Sequence, residues 1–326
     1  MRSDSSNRLT DKDAQLANVA ILYYGEGLTQ SEIAKRMGVS RPTVVNMLRD
    51  SRERGIVEIR VDSEVLSSSS LSRALCAKFD LQDVYIARAR EPQKRKSERS
   101  ELLSQVARVA GMAIQDIVSS GDTVGVAWGE TIKSVSMVMT RNNLHDVTVC
   151  QMIGSMVSDR VPTSEDCAIR IANYLNAECY TLHAPAVLSS AKLAEQITSE
   201  PTIAAQLSRL RSLDVAIFSV GNIRQDTHLV AAGIASGEEL DAAVASGANG
   251  IVCGRYIDRS GQALGLPPEN RLVAIEISDL RAAKKKFLVA AGDDRLDAVH
   301  AAIMGKLVTH LCIDEALAEL LLAHSE

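Results

Sequence analysis

The pattern of apolar and polar positions changes character near residue 62. Up to Gly55, apolar residues recur every three or four positions, which is the spacing of amphipathic helices. Beyond the serine-rich stretch 62–70, short apolar runs alternate with helical patterns as far as the C-terminus. Such alternation is typical of a parallel sheet that is covered on both faces. The sequence therefore predicts two domains, residues 1–62 and 63–326, and the second is of the α/β class.

The first domain contains two short helical patterns joined by a glycine. Thr29 precedes Glu32 by three residues, the spacing of a capping box, and Gly38 allows a tight turn. Ser40 can cap a second helix that has Pro42 in its first turn, where a missing N–H costs nothing. This arrangement predicts a helix-turn-helix, in which the second helix enters the major groove of DNA. A helical hairpin packed into a core is the alternative.

The second helix has an apolar stripe, which we assign to Val44, Val45, Met47 and Leu48, and a polar face. Side chains of the polar face suit hydrogen bonds to base edges, and we assign that role to Arg41, Thr43 and Asn46. Hydroxyl, amide and lysine groups before and within the two helices would fix the register on phosphates. The predicted DNA-binding residues are Thr29, Gln30, Lys35, Ser40, Arg41, Pro42, Thr43 and Asn46.

Charge supports this interpretation because it is unevenly distributed. The whole chain has a net charge of −5, yet residues 28–60 contain seven lysines and arginines against four acidic residues. A modestly basic module on an acidic body favours a specific DNA binder over a general polyanion binder. After the second helix, Val57, Ile59 and Val61 alternate with charged residues, which predicts a short strand of the winged type.

In the second domain, candidate ligand contacts lie in the loops after the predicted strands. Ligands of open α/β sheets bind beyond the carboxyl ends of the strands. Gly129 lets a backbone approach a ligand, and Thr131 with the following helix could hold an anion. Arg255 and Arg295 suit bidentate phosphate binding, with a surface ion pair as the alternative. The predicted effector-binding residues are Gly129, Glu130, Thr131, Gln151, Gly154, Asn222, Cys253, Arg255, Asp258 and Arg295.

Three further segments of this domain are predicted to be two strands and a loop. Single strands are predicted over 250–257 and 272–277. The run from Arg88 to Arg99 has six basic residues and is interpreted as a solvated loop.

Several classes of protein are disfavoured by missing motifs. No G-x-G-x-x-G follows a strand, and neither a P-loop nor a G-x-S-x-G elbow occurs, so nucleotide cofactors and serine hydrolases are disfavoured. The six cysteines include no C-x-x-C pair, and the histidines lack metal-ligand spacing. We therefore expect reduced core thiols, no metal, no cofactor and no catalytic residues. Without a signal pattern or a membrane-length apolar run, the chain is predicted to be cytoplasmic.

The order of the motifs resembles the SorC family of bacterial transcriptional regulators. The resemblance rests on the helix-turn-helix, the Gly-Glu-Thr turn at 129–131, CGRYID at 253–258, NRLVAI at 270–275 and AGDDRLDAVHAAIMGKLVTHLCID at 291–314. It implies a Rossmann-like second domain, similar to glucosamine-6-phosphate deaminase and ribose-5-phosphate isomerase but lacking their activity. A phosphorylated sugar or sugar derivative as effector and a dimeric or tetrameric state are also implied.

Some residues depart from that family's pattern. Glu130 stands where a small or hydroxyl residue is more usual, Arg295 where lysine is usual, and Ala291 where a second glycine is usual. An arginine in place of a lysine keeps the charge but alters the geometry of anion binding. An unphosphorylated sugar or polyol is therefore an alternative effector.

The leading hypothesis is a DNA-binding repressor of a carbohydrate-catabolism operon, controlled by a sugar, sugar phosphate or polyol. Its expected partners are operator DNA, the carbohydrate effector and further copies of the chain, because palindromic operators mirror two-fold protein symmetry. The alternative is a sugar-phosphate isomerase or deaminase with a regulatory N-terminal module. That alternative lacks a convincing base, since Glu130 is the only acid beside the glycine turn.

We expect the substitution Arg41→Ala to abolish specific operator binding and to leave sugar binding intact. The side chain would be removed from the base edges, while the second domain is untouched. Fluorescence anisotropy on operator DNA and a sugar titration measure the two properties. Loss of both together would indicate a folding defect and would contradict the assignment.

Overall fold

The computed structural model describes residues 11–57, 69–88, 98–142, 144–156, 163–223 and 228–324. The chain divides into two compact units, Met1–Arg60 and Val61–Glu326. The predicted domain boundary at residue 62, the serine-rich stretch before Ser69 and the wing strand beyond Val57 lie outside the described residues.

The first unit is helical and has a small apolar core. Its helices are α1 (Asp11–Ala20), α2 (Gln30–Met37) and α3 (Arg41–Glu53), and α1 continues into one wider turn over Ile21–Gly25. Val19, Leu22, Ile33, Val44 and Leu48 are buried together between these elements. The periodic apolar positions of three short helices thus share a single core, which is the arrangement that the sequence pattern predicts.

The predicted caps of α2 and α3 are confirmed. The Glu32 backbone N–H donates to Thr29 Oγ1 at 3.3 Å, and the Thr29 N–H donates to Glu32 Oε2 at 2.8 Å. The Thr43 N–H donates to Ser40 Oγ at 3.2 Å. These bonds satisfy backbone donors that a helix start leaves unpaired, and they fix where each helix begins.

One residue of the predicted apolar stripe was assigned wrongly. Val44 and Leu48 are buried, but Val45 keeps 43% of its surface exposed. In a helix, positions four apart share a face, whereas adjacent positions are rotated by about 100°. Val45 therefore lies outside the buried stripe.

Within the described residues of the second unit, a parallel sheet of seven strands is central. Its strand order is β1-β10-β9-β5-β2-β3-β4, and β6, β7 and β8 form a separate antiparallel sheet. The strands are β1 (Asp83–Ala87), β2 (Thr123–Val126), β3 (Thr148–Gln151), β4 (Glu178–Tyr180), β5 (Val215–Phe218), β6 (Val220–Gly221), β7 (Gly250–Val252), β8 (Arg255–Ile257), β9 (Lys285–Val289) and β10 (His310–Asp314).

Helices cover both faces of the parallel sheet. They are α4 (Ser70–Phe79), α5 (Glu98–Ile117), α6 (Glu130–Ser136), α7 (Ser164–Leu175), α8 (Ala191–Ser199), α9 (Pro201–Arg209), α10 (His228–Ala231), α11 (Gly237–Ala245), α12 (Ile277–Ala282), α13 (Leu296–Met304) and α14 (Glu315–Ala323). On β5, Val215 and Ile217 pack with α5–α7, while Ala216 and Phe218 pack with α4 and α12–α14. All four residues are buried, so the continuous apolar strand reflects two covered faces.

Two predicted strands have a different structure. The segment 250–257 is a hairpin, because Cys253 and Gly254 adopt positive φ angles of 49° and 83° and reverse the chain between β7 and β8. The segment 272–277 forms only isolated bridges, Val187 to Leu272 and Ile153 to Ala274, before α12 begins at Ile277. An apolar run alone does not reveal a reversal within it or the absence of a strand partner.

We expect Phe287→Ala to lower the free energy of unfolding by about 3–5 kcal/mol, since it empties a large site in the core. Phe287 is fully buried in β9, and its ring lies edge-on to Tyr85 with centroids 6.0 Å apart. Urea unfolding followed by the fluorescence of Trp128 measures the change. Ile169→Ala, at a side chain that is 43% exposed, is the control and should shift stability by only about 0.5 kcal/mol. Equal losses in the two variants would contradict the core assignment.

Candidate effector pocket and DNA-binding helix

The amino-terminal part of α3 presents an exposed polar surface. Arg41, Pro42, Thr43 and Asn46 are all exposed. Ser40 Oγ and Thr43 Oγ1 are 2.7 Å apart, so the cap also orients the threonine. This surface carries hydrogen-bond donors and acceptors at the start of a helix, where base edges are read in helix-turn-helix proteins.

Residues of α2 extend that surface. The Arg41 guanidinium Nε donates to Gln30 Oε1 at 3.4 Å, which joins the starts of the two helices. Thr29 and Lys35 are exposed, and Gln30 is half-buried. All eight predicted DNA-contacting residues therefore lie at or near the surface of one small unit. Val45, which the sequence pattern assigned to the core, is an exposed apolar residue on α3.

The second unit has a pocket where three central strands end. Ala127–Thr131 follow β2, Ser219–Gly221 follow β5, and Ala291 and Arg295 follow β9. These strands are neighbours in the sheet, so their carboxyl ends meet at one edge. The walls are completed by Cys253 and Gly254, in the turn between β7 and β8, and by Arg99, Leu102 and Leu103, in the first turns of α5. Leu229 and Ile251 also contribute. The space between these walls is about 790 Å³, part of which is open to solvent, and it lies where open α/β sheets bind their ligands.

The turn after β2 forms one wall. Gly129 has a φ angle of 118°, which an L-residue rarely adopts, and α6 starts immediately after it at Glu130. Glu130 and Thr131 therefore belong to the first turn of a short helix that faces the pocket. The carboxylate of Glu130 adds negative charge at the place where the sequence predicted an anion contact.

The opposite wall is built around Asp294. Its Oδ2 lies 3.5 Å from Arg295 Nε and 3.6 Å from Arg99 Nη2. The Asn222 amide donates to the same oxygen at 2.7 Å, and Arg295 Nη1 donates to the Val220 carbonyl at 3.3 Å. One carboxylate thus positions two cationic side chains and an amide around the pocket.

Cys253 lines the pocket but is a poor nucleophile. The side chain is buried, and this burial raises the pKa of its thiol to about 12. Burial likewise raises the pKa of Cys167 to about 12 and that of Cys150 to about 11. These thiols stay protonated near neutral pH, and all six cysteines are free of disulfides. Four of the six are buried, and Cys76 and Cys179 are partly exposed.

Family models match both units. One with the description "Putative sugar-binding domain" matches residues 63–323, and one of the MarR family matches residues 12–65. The first alone covers most of the chain. The match to residues 12–65 includes the two capped helices of the first unit.

Similar proteins span nearly the whole chain. The "Uncharacterized transcriptional regulator YjhU" of Escherichia coli is 36% identical over 323 residues, 99% of this chain and 98% of that protein. The crystal structure of the full-length sorbitol operon regulator SorC from Klebsiella pneumoniae has a TM-score of 0.70 at 25% identity, covering 96% of this chain and 100% of that one. This chain belongs to the SorC family of transcriptional regulators. The deoxyribonucleoside regulator of Bacillus subtilis is a further relative of this SorC-family regulator, 27% identical over 314 residues, 95% of this chain and 98% of that protein.

The structure of this SorC-family regulator brings some of the predicted effector residues together. Gly129, Glu130, Thr131, Cys253 and Arg295 line the pocket. Asn222 is held against Asp294 beside it. The remaining four lie elsewhere, for reasons that concern packing.

Gln151 and Gly154 have structural positions. The buried Gln151 amide donates to the Ile153 carbonyl at 2.6 Å and to Ser164 Oγ at 2.8 Å, and its carbonyl accepts the Leu182 N–H at 2.9 Å. A Cβ at Gly154 would lie 2.6 Å from the Ala184 carbonyl oxygen, so this glycine permits close backbone packing. Neither residue lines the pocket.

Arg255 is buried away from the pocket. Its Nε donates to the Ile275 carbonyl at 2.7 Å, and its Nη2 lies 2.6 Å from Glu276 Oε1. Glu269, also buried, is 3.8 Å from Nη1. The hairpin makes Arg255 the first residue of β8, where its guanidinium joins β8 to the segment before α12, so Arg255 does not line the pocket as the sequence predicted.

Asp258 closes a turn after β8. Its Oδ1 accepts the Ser260 N–H and the Gln262 N–H, both at 2.9 Å, and the Ser260 hydroxyl at 2.8 Å. Burial acts to raise the pKa of Asp258, but these hydrogen bonds lower it below its usual value. The carboxylate is thus used by its own loop.

Arg99 is a pocket residue that the sequence analysis missed. It belongs to the basic run that was interpreted as a solvated loop, yet α5 begins at Glu98 and places it in the first turn. Residues 89–97 of that run lie outside the described residues. A signal was present, because the amphipathic pattern just beyond this run predicts a helix over 101–118, but the helix begins three residues earlier, at Glu98.

Two features are absent from the described residues. No described helix is long and apolar enough to cross a membrane. Across the same residues, no group of three or more histidine, cysteine, aspartate or glutamate side chains is placed to hold a metal ion.

We expect Arg255→Ala to lower the free energy of unfolding by about 3–5 kcal/mol, because it leaves Glu269 as a buried carboxylate without its cation. Urea unfolding monitored through Trp128 measures the loss. Glu276→Gln serves as the comparison, since this partner is 60% exposed and its removal should cost about 1 kcal/mol or less. If Arg255→Ala costs no more than Glu276→Gln, the structural role assigned to Arg255 is wrong.

Proposed function

We propose that this regulator represses a carbohydrate-catabolism operon and that a carbohydrate in the pocket alters its affinity for operator DNA. The observation that carries the proposal is the pocket at the carboxyl ends of β2, β5 and β9. It belongs to a chain that also has a capped, exposed recognition helix. A ligand changes the DNA affinity only if it binds two arrangements of the protein unequally, so the pocket must differ between them.

The recognition helix α3 supplies the sequence-specific contacts. Arg41, Thr43 and Asn46 face base edges in the major groove, and the exposed Val45 suits contact with a thymine methyl group. Thr29, Gln30, Lys35 and Ser40 contact phosphates and fix the register, while Pro42 sets the start of α3.

The names of the relatives support a carbohydrate as effector. They include a sorbitol operon regulator and a deoxyribonucleoside regulator. Thr131 and Ser219 line the pocket and offer hydroxyl groups to a ligand. Such donors and acceptors suit a polyhydroxylated ligand.

The protein acts as a homodimer or homotetramer in the cytoplasm. Two copies of α3 related by a two-fold axis would match the half-sites of a palindromic operator. The effector is bound without chemical change. In support, the pocket thiol of Cys253 is held protonated, and no histidine is among the described residues that line the pocket.

The test is a fluorescence-anisotropy titration of the full chain onto DNA from upstream of its own gene, at fixed salt concentration. Free sugars, polyols and sugar phosphates are added in turn. We expect at least one compound to change the DNA affinity by about tenfold, a coupling of about 1.4 kcal/mol. Arg295→Ala should abolish that response and keep the DNA affinity, because Arg295 lines the pocket in the second unit.

Two results would contradict the proposal. Binding without sequence preference, tested against a scrambled duplex, would remove the operator-binding role. An Arg295→Ala variant that responds to the effector as the wild type does would show that the effector binds elsewhere.

A further inference from the structure

We propose that Asp294 and Glu130 make the pocket select a hydroxyl-rich effector that carries no phosphate group. This inference rests on the proposed function, because it concerns the effector of that same pocket. It assigns specificity to two carboxylates, one that stands behind the pocket wall and one that lines it.

Asp294 offsets the positive charge of the pocket. Its carboxylate is only 11% exposed and lies within 3.6 Å of both Arg99 and Arg295. A phosphate would have to compete with this internal anion for both guanidinium groups. Because the pairs with Arg295 and Asn222 are largely withdrawn from water, the competition is screened less than it would be at the surface.

Glu130 adds a second negative charge on the facing wall. It stands in the first turn of α6, directly after Gly129, and lines the pocket together with Thr131. Among the described lining residues, the cationic side chains are Arg99 and Arg295, and Glu130 is the acidic one. Together with Asp294 behind the arginines, Glu130 supplies two negative charges for the two positive charges of Arg99 and Arg295, so the charges of the described pocket residues balance.

A balanced pocket penalises a phosphate monoester. Such a group has a charge of about −1.5 to −2 near neutral pH and binds best to cations that have no other anion to pair with. A polyol or free sugar has no charge, so a pocket with balanced charges does not repel it. Thr131 and Ser219 offer hydroxyl groups to such a ligand, and Trp128 offers an amphipathic ring.

The experiment uses inorganic phosphate as the probe and the full chain as the protein. Trp128 is the single tryptophan and lines the pocket, so its fluorescence reports binding at this site. The titration compares the wild type with Asp294→Asn, Glu130→Gln and the double variant. Asparagine can still accept the hydrogen bond from Asn222, and Glu130 is exposed, so both substitutions are compatible with the fold.

Two matched controls remove the same charges elsewhere in the second unit. Asp297→Asn acts at an exposed residue in the first turn of α13, and Glu238→Gln at an exposed residue in the first turn of α11. Neither residue lines the pocket. They separate a local effect from the change in net charge.

We expect the double variant to bind phosphate with a dissociation constant about tenfold or more below that of the wild type. Each single variant should be intermediate, and both controls should match the wild type. A higher salt concentration should reduce the difference in phosphate affinity between the wild type and the double variant, because salt screens the charges. Equal phosphate affinity in wild type and double variant would overturn the proposal. A double variant that binds no phosphate would overturn it too, because the carboxylates would then not be what excludes the anion.

A second comparison measures release of the protein from operator DNA. The probes are two pairs of compounds, sorbitol with sorbitol 6-phosphate and deoxyribose with deoxyribose 5-phosphate. In the wild type, each unphosphorylated compound should act at a lower concentration than its phosphate ester. A phosphate ester that is more potent than its parent would overturn the selectivity while leaving the regulator function intact. Loss of operator binding itself would contradict the proposed function, and the phosphate titration would still decide the role of the two carboxylates.

Discussion

The second unit depends on the burial of its central parallel strands on both faces. Each residue of β5 is buried, and alternate side chains serve two separate cores. Parallel pairing directs the carboxyl ends of β2, β5 and β9 to one edge, because successive strands run the same way. The loops that form the pocket are therefore close to each other as a result of the sheet, although nearly ninety residues separate β2 from β5 in the sequence.

Buried polar side chains have two distinct roles around this sheet. Gln151 and Arg255 have their hydrogen-bonding groups paired with backbone carbonyl and N–H groups and with neighbouring side chains, so they join segments that lack regular secondary structure. Asp294 also pairs with protein groups, but those groups are the arginines and the amide at the pocket. The same rule, that a buried polar group must have a partner, produces rigidity in one place and charge balance in the other.

The first unit meets a different constraint. Its core is small, and the caps at Thr29 and Ser40 satisfy the backbone donors at the helix starts that packing alone would leave unpaired. The capped start of α3 is also its exposed, polar end. Local hydrogen bonding thus fixes both the stability of a short helix and the orientation of the side chains that we assign to DNA.

The sequence by itself determined the elements whose causes are local. Cap spacing defined α2 and α3, apolar periodicity defined the alternating strands and helices, and glycine placed the turn at residue 129. Long-range packing decided the rest. The reversal at Cys253 and Gly254 buried Arg255, and the start of α5 brought Arg99 to Asp294, about two hundred residues away in the chain. The spacing of residues along the sequence does not reveal such contacts. Only the tertiary structure therefore decided which polar residues face the pocket and which stabilise the fold.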